Sequence, residues 1–151
     1  MNPSDIDRKI AVIFATDLVG YSKHMEKDEN ATLRGLRECN KIIEIIIKKQ
    51  KGRIFNTGGD SVFAEFPSAV AAVDTAVEFQ NQIKGRNDKD TTDIKLEYRI
   101  GINMGDVVKE GDNLLGDGVN IAARLEWIVA IYRGKSGLRR AIELGNSQAS
   151  N

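Results

Sequence analysis

Apolar residues in this chain fall into short runs that alternate with longer, periodically spaced stretches. The first run, "KIAVIFATDLV", predicts a buried strand from about Ile10 to Ala15, with Asp17 just past its end. After a polar interval, Leu33, Leu36, Ile42, Ile43, Ile46 and Ile47 recur near helical spacing. They predict a long amphipathic helix ending near Lys48, with Gly52 as its stop. "GRIFNTGGDSVFAEF" alternates around a glycine pair and predicts a hairpin. "PSAVAAVDTAVEFQNQI" predicts a second helix capped by Ser68, with Ala69, Val73, Ala76, Val77 and Ile83 facing inward. "KGRNDKDTTD" reads as a polar loop. "IKLEYRIGINMGDVVKEGD" reads as a second strand pair turning near Met104–Gly105. "GDGVNIAARLEWIVAIYR" predicts a third helix.

That order is strand, helix, two strands, helix, two strands, helix. It predicts an α+β fold, a ferredoxin-like (palm-like) sandwich whose mixed or antiparallel sheet carries helices on one face. In such a sandwich the end of the first strand lies beside the turn of the first hairpin.

Composition narrows the chemistry. The 151 residues are expected to form a single domain, and 22 basic residues balance 22 acidic ones. No global field therefore recruits nucleic acid or an anionic membrane. One cysteine and one histidine leave little room for a disulfide, a thiolate zinc site or a Ser-His-Asp triad. "IIEIIIKK" is too short for a bilayer span and is interrupted by Glu44. "MNPSDIDRKI" lacks the pattern of a secretory signal, so the expected compartment is the cytoplasm.

The candidate chemistry lies in "NTGGDSVFAEF". Its glycines serve a tight turn, but the expected topology also brings Asp60 beside Asp17. Neighbouring carboxylates repel unless a cation lies between them, and hard divalent ions prefer oxygen ligands completed by water and phosphate. Each aspartate, taken alone, is also what an ordinary turn presents. In "LLGDGVNIAARLE", Asn120 and Arg124 share one helical face among small residues. An amide and a guanidinium aimed at one point suit a phosphate transition state, although an exposed helix can carry the same pair incidentally.

These motifs resemble the class III nucleotidyl cyclases. "AVIFATDLVGYS" is similar to that family's first metal motif, "NTGGDSVFAEF" to its second, and "LLGDGVNIAARLE" to its transition-state motif. "YRIGINMGDVV" matches the hairpin between them, so the resemblance runs from about residue 10 to 126. It implies that Asp17, Asp60 and the backbone carbonyl of Leu18 hold two Mg²⁺ or Mn²⁺ ions. It implies that the backbone around Gly20, Tyr21 and Ser22, with Gly59 nearby, cradles the phosphates. Asn120 would position the ribose and Arg124 would stabilise charge on the α-phosphate. The implied reaction turns ATP into 3′,5′-cyclic AMP and pyrophosphate at a homodimer interface with composite sites.

Base choice is implied less directly. Adenylyl cyclases of the family commonly carry Lys at the place of Asn56 and Asp or Thr at that of Asn113; guanylyl cyclases show Glu and Cys. ATP is the expected substrate, with GTP as the alternative. Residues 127–151 do not align with the family, and its triphosphate lysine has no counterpart there, so weak turnover is expected. Two rivals accompany this reading. One is a catalytically silent, dimerising cyclase-homology domain. The other is a diguanylate cyclase, whose Gly-Gly-Asp-Glu-Phe signature departs here at Ser61 and Val62.

Overall fold

A computed structural model of the chain describes residues 7–124. The tail considered above lies outside the described residues. The sheet is built on β1 (Asp7–Leu18), flanked by β3 (Ser61–Phe66) on one side and β4 (Tyr98–Glu110) on the other. Beyond them lie β2 (Arg53–Gly58) and β5 (Asn113–Leu115), giving the order β2-β3-β1-β4-β5 with every pairing antiparallel. The helices are α1 (Tyr21–Lys27), α2 (Glu29–Lys49), α3 (Ala69–Lys89) and α4 (Asp117–Arg124). The crossovers β1-α1-α2-β2 and β3-α3-β4 make the ferredoxin-like arrangement expected from the sequence.

Alternation along the strands separates two cores. Val12, Phe14, Leu18, Val62, Ala64, Phe66, Tyr98 and Ile100 face α2 and α3, whose Ile43, Ile46, Ile47, Phe79 and Ile83 complete a large core. The opposite face carries Ala11, Ile13, Ala15 and Val107 and is covered in part by α4 through Ala122 and Val119. Helices therefore lie on both faces, not one.

β1 is longer than its apolar run because its polar ends still pair with β4, and Asp17 is a strand residue opposite Arg99. The expected turn at Met104–Gly105 does not form. β4 runs straight through, Gly105 sits opposite Ala11, and the reversal comes at Gly111–Asp112 before the short β5. α3 continues through Lys89, taking in most of the expected polar loop. Asn87 explains the extension, since its side chain bonds both the N–H and the carbonyl of Leu96 and so fastens the last turn to the chain entering β4. The inward face of α3 is Ala72, Thr75, Ala76, Phe79, Gln80 and Ile83; Ala69 is exposed. Polar Thr75 and Gln80 can be buried because they bond the carbonyls of Ala71 and Tyr98.

Both long helices are capped as their sequences allow. Asp28 accepts from the N–H of Ala31 at the start of α2, and Ser68 from that of Ala71 at the start of α3. At the end of α2 the left-handed residue is Lys51, with φ 61°. Its N–H reaches Lys48 and that of Gly52 reaches Ile47, the two bonds of a Schellman motif. Gly52 is needed for a different reason: a Cβ there would come within 2.7 Å of the Phe66 ring.

Candidate active site

The C-terminal end of β1 and the β2–β3 turn meet, as the topology requires. Gly59 opens that two-residue turn with φ 58°, and the following Asp60 keeps a negative φ, the sign pattern of a type II′ turn. The turn aims Asp60 back across β3 at β1, where its Oδ2 accepts from the backbone N–H of Leu18 at 3.0 Å. Asp60 and Asp17 thus approach the same strand end from two directions. Both are partly buried.

Asp17 meets a partner that the sequence pattern did not single out. Arg99 stands opposite it in the β1–β4 ladder, and its Nε and Nη2 donate to the two carboxylate oxygens at 2.9 and 2.8 Å. The Asp17 hydrogen bonds hold the Arg99 guanidinium proton more tightly than usual, and the Asp60 charge adds to the effect. Thr16 fixes the same region, donating its hydroxyl to the Arg99 carbonyl at 2.8 Å. Only the strand register could have revealed this pair.

The donor set suits a divalent hard cation that keeps water and substrate oxygens in its shell. Two carboxylates converge, and Asp60 retains an oxygen that accepts no hydrogen bond among the described residues. No group of three or more His, Cys, Asp or Glu capable of holding a metal occurs among the described residues. An all-protein cage is therefore not what the strand end offers, whereas Mg²⁺ is commonly held by one or two carboxylates plus phosphates.

The remaining predicted residues divide into two groups. Gly20, with φ 67°, precedes α1, followed by half-buried Tyr21 and exposed Ser22, so this segment adjoins the aspartate end. Asn113 lies at the other extreme. It pairs with Glu110, eleven residues along β4 from Arg99 (roughly 36 Å of strand at 3.3 Å per residue). Its carboxamide oxygen accepts from the N–H of Leu114. Asn56 is exposed on β2 beside an irregularity in the pairing with β3. Arg53 on the same strand donates to the carbonyl of Asp112, tying β2 to the β4–β5 turn across the sheet face. Asn56 and Asn113 therefore belong to connected elements. Asn120 is exposed on α4, and Arg124 is the last residue of that helix; the Arg124 side chain is outside the described atoms.

Two further features lie outside the predicted set. A groove of about 670 Å³ beside Lys9, Ile10, Lys51, Arg53 and Met104 sits at the start of β1, roughly 25 Å of strand from Asp17. Nearby Glu65 bonds Lys9 and Arg53. Partial burial pulls its carboxyl upward, but those hydrogen bonds outweigh it and hold it below the usual range. Beneath the aspartate end, the buried Tyr98 hydroxyl finds no hydrogen-bond partner of full strength among the described residues. The Cys39 thiol beside it is a weak one, and burial pushes that thiol up to about 11.

Residues 3–130 match the family model described as adenylate and guanylate cyclase catalytic domain. A putative adenylate cyclase of Rhizobium meliloti is 40% identical over 127 residues, 83% of this chain but 22% of that protein. The chain thus spans about a fifth of the length of that curated relative. Among solved structures, an adenylate/guanylate cyclase/hydrolase from Silicibacter pomeroyi is 37% identical with a TM-score of 0.72, over 81% of this chain and 72% of that one. An adenylyl cyclase from P. aeruginosa is 28% identical with a TM-score of 0.67, over 81% and 73%. No helix among the described residues is long and apolar enough to cross a membrane.

Proposed function

The chain belongs to the adenylate and guanylate cyclase catalytic domain family of class III, and from that premise we propose that two copies of it convert ATP into 3′,5′-cyclic AMP and pyrophosphate. The convergence of Asp17 and Asp60 at one strand end carries the reading. These carboxylates and the Leu18 carbonyl would hold two Mg²⁺ or Mn²⁺ ions, which when bound favour ionisation of the ribose 3′-hydroxyl and neutralise phosphate charge. The 3′-oxygen attacks the α-phosphorus, the bond to the bridging oxygen breaks, and pyrophosphate leaves.

The chain's own groups divide that work. Arg99 keeps Asp17 oriented and neutralised in the free protein, and its guanidinium remains beside the place assigned to the phosphates. The backbone of Gly20, Tyr21 and Ser22 follows the aspartate strand directly and is the segment assigned to the β- and γ-phosphates. Asn120 orients the ribose, and Arg124 stabilises charge on the α-phosphate as an arginine finger does. Asn113 stands a whole strand length from Arg99, and the first turn of α4 packs on β4 at Asp106 and Val107. A nucleotide that touches all these groups is therefore assigned to the space between two chains. One chain supplies Asp17 and Asp60; its partner supplies Asn56, Asn113, Asn120 and Arg124. Such a contact is self-complementary and makes two equivalent sites.

ATP is favoured because neither position assigned to the base carries the Glu and Cys of the guanylyl pattern, and because relatives at 40% and 28% identity are named as adenylyl enzymes. The test is incubation with Mn²⁺ and either nucleotide, followed by product identification. Cyclic AMP in excess over cyclic GMP is expected. Nucleotide binding with no cyclic product from either would mark the silent regulatory module instead. The pair Asn56→Glu with Asn113→Cys should shift preference toward GTP, each altered pairing being worth roughly 1–3 kcal/mol. An unchanged ATP-to-GTP ratio would show that these residues do not meet the base.

A further inference from the structure

α4 is a two-turn helix of eight residues, too short to hold its own direction in water. Its apolar anchor is modest: buried Ala122 and half-buried Val119 rest on Ala11, Ile13, Ala15, Val107 and Leu114. Apolar contact of this kind resists separation but does not fix an angle. One directional bond supplements it. Asn103, half-buried on β4, donates its Nδ2 to the carbonyl of Gly118 at 3.0 Å. Among the described side chains, this is the hydrogen bond that joins α4 to the sheet.

The glycines around that bond make room for it. A Cβ on Gly118 would lie 2.6 Å from the Asp106 carbonyl oxygen, so the first turn of α4 is flush against β4. A Cβ on Gly105 would lie 3.1 Å from Asn103 Nδ2 and 3.7 Å from the Gly118 Cα. The glycine that resembles a turn in the sequence is, in the strand, the space through which the amide reaches the helix.

We propose that Asn103, with Gly105 and Gly118 clearing its path, is the positioning residue that sets the direction of α4 and so aims Asn120 and Arg124 at the nucleotide. The assignment rests on the shared-site reading above, in which α4 serves the site whose aspartates belong to the partner. Arg124 stands six residues past Gly118, about 9 Å along the axis. A tilt of about 10° at the anchor would displace it by roughly 1.5 Å, and a displacement near 1 Å can lower a rate by about 10²-fold. Asn103 touches no substrate in this scheme. Removing its bond should lower kcat while leaving KM largely unchanged.

The test uses the full chain with Asn103→Asp, which keeps the shape but sets an acceptor against the Gly118 carbonyl. Gly105→Ala serves as a second variant that crowds the amide without removing it. Mixed with Asp17→Ala, each should regain about a quarter of wild-type activity, because heterodimers then contain one intact site. Mixed with Arg124→Ala, neither should regain any, because both chains bring a faulty α4. The reverse pattern, or no regain with either partner, would overturn the assignment. Asp17→Ala mixed with Arg124→Ala is the control, and its failure would count against the shared site itself. Amide hydrogen exchange decides independently of turnover: the Asn120 and Ala122 amides should exchange about tenfold faster in Asn103→Asp, with β1 and β4 unchanged. Unaltered exchange in α4 would refute the tether.

Discussion

The two faces of one sheet have been given different work. Towards α2 and α3 the strands present Phe14, Phe66, Tyr98 and Ile100, and two 21-residue helices close over them. Towards α4 they present a smaller cluster of Ala11, Ile13, Ala15 and Val107, with Phe63 half-buried, and an eight-residue helix covers only part. The first face is built to be sealed. The second is only partly covered, and Asp17 and Arg99 pair at one end of it. Stability and chemistry therefore separate by strand alternation: Phe14 and Asp17 lie three residues apart and point to opposite sides.

The widest separation should come from the strand end. Asp60→Ala should lower turnover by about 10³-fold or more, the scale of losing a principal electrostatic stabiliser of the transition state. Its unfolding midpoint should fall only slightly, because the lost bond to the Leu18 N–H, worth roughly 1 kcal/mol, is offset in part by relieved repulsion with Asp17. Steady-state kinetics beside denaturant unfolding check both halves, and wild-type turnover would sink the assignment. Phe14→Ala should do the opposite. Fully buried and edge-on to Phe66 at 5.7 Å, it should cost about 3–5 kcal/mol in urea unfolding. Half-buried Phe63, on the other face, should cost clearly less when truncated; equal costs would erase the distinction between the faces.

The smallest effect is at the end of α2. Lys51 holds a left-handed conformation that costs a non-glycine residue roughly 1 kcal/mol, so Lys51→Gly should stabilise the protein by up to about that amount. Thermal unfolding at matched pH measures it, and a lowered midpoint would show that the Lys51 side chain holds more than the backbone strain costs.

What could be read from the sequence followed the same division. The aspartate pair was legible because glycines, short strands and chain order bring Asp17 and Asp60 together whatever the details of packing. Arg99 was not, since its pairing with Asp17 exists only in the β1–β4 register. Gly105 misled because glycine marks both turns and close approaches, and only the twelve-residue length of β1 shows which applies. The inward face of α3 was misplaced because Thr75 and Gln80 count as polar until their backbone partners are known. Apolar spacing specified the elements, whereas hydrogen bonds between distant residues determined how they meet.

In the proposed dimer, each site takes its aspartates from one chain and its Asn120 and Arg124 from the other. The most direct test mixes Asp17→Ala with Arg124→Ala, each of which should be nearly inactive alone, the latter by roughly 10³-fold. If the two chains exchange freely, about half the dimers are heterodimers with one intact site, and the mixture should regain about a quarter of wild-type cyclic AMP formation. A mixture that stays as inactive as its components, while subunit exchange is shown to occur, would contradict the shared site.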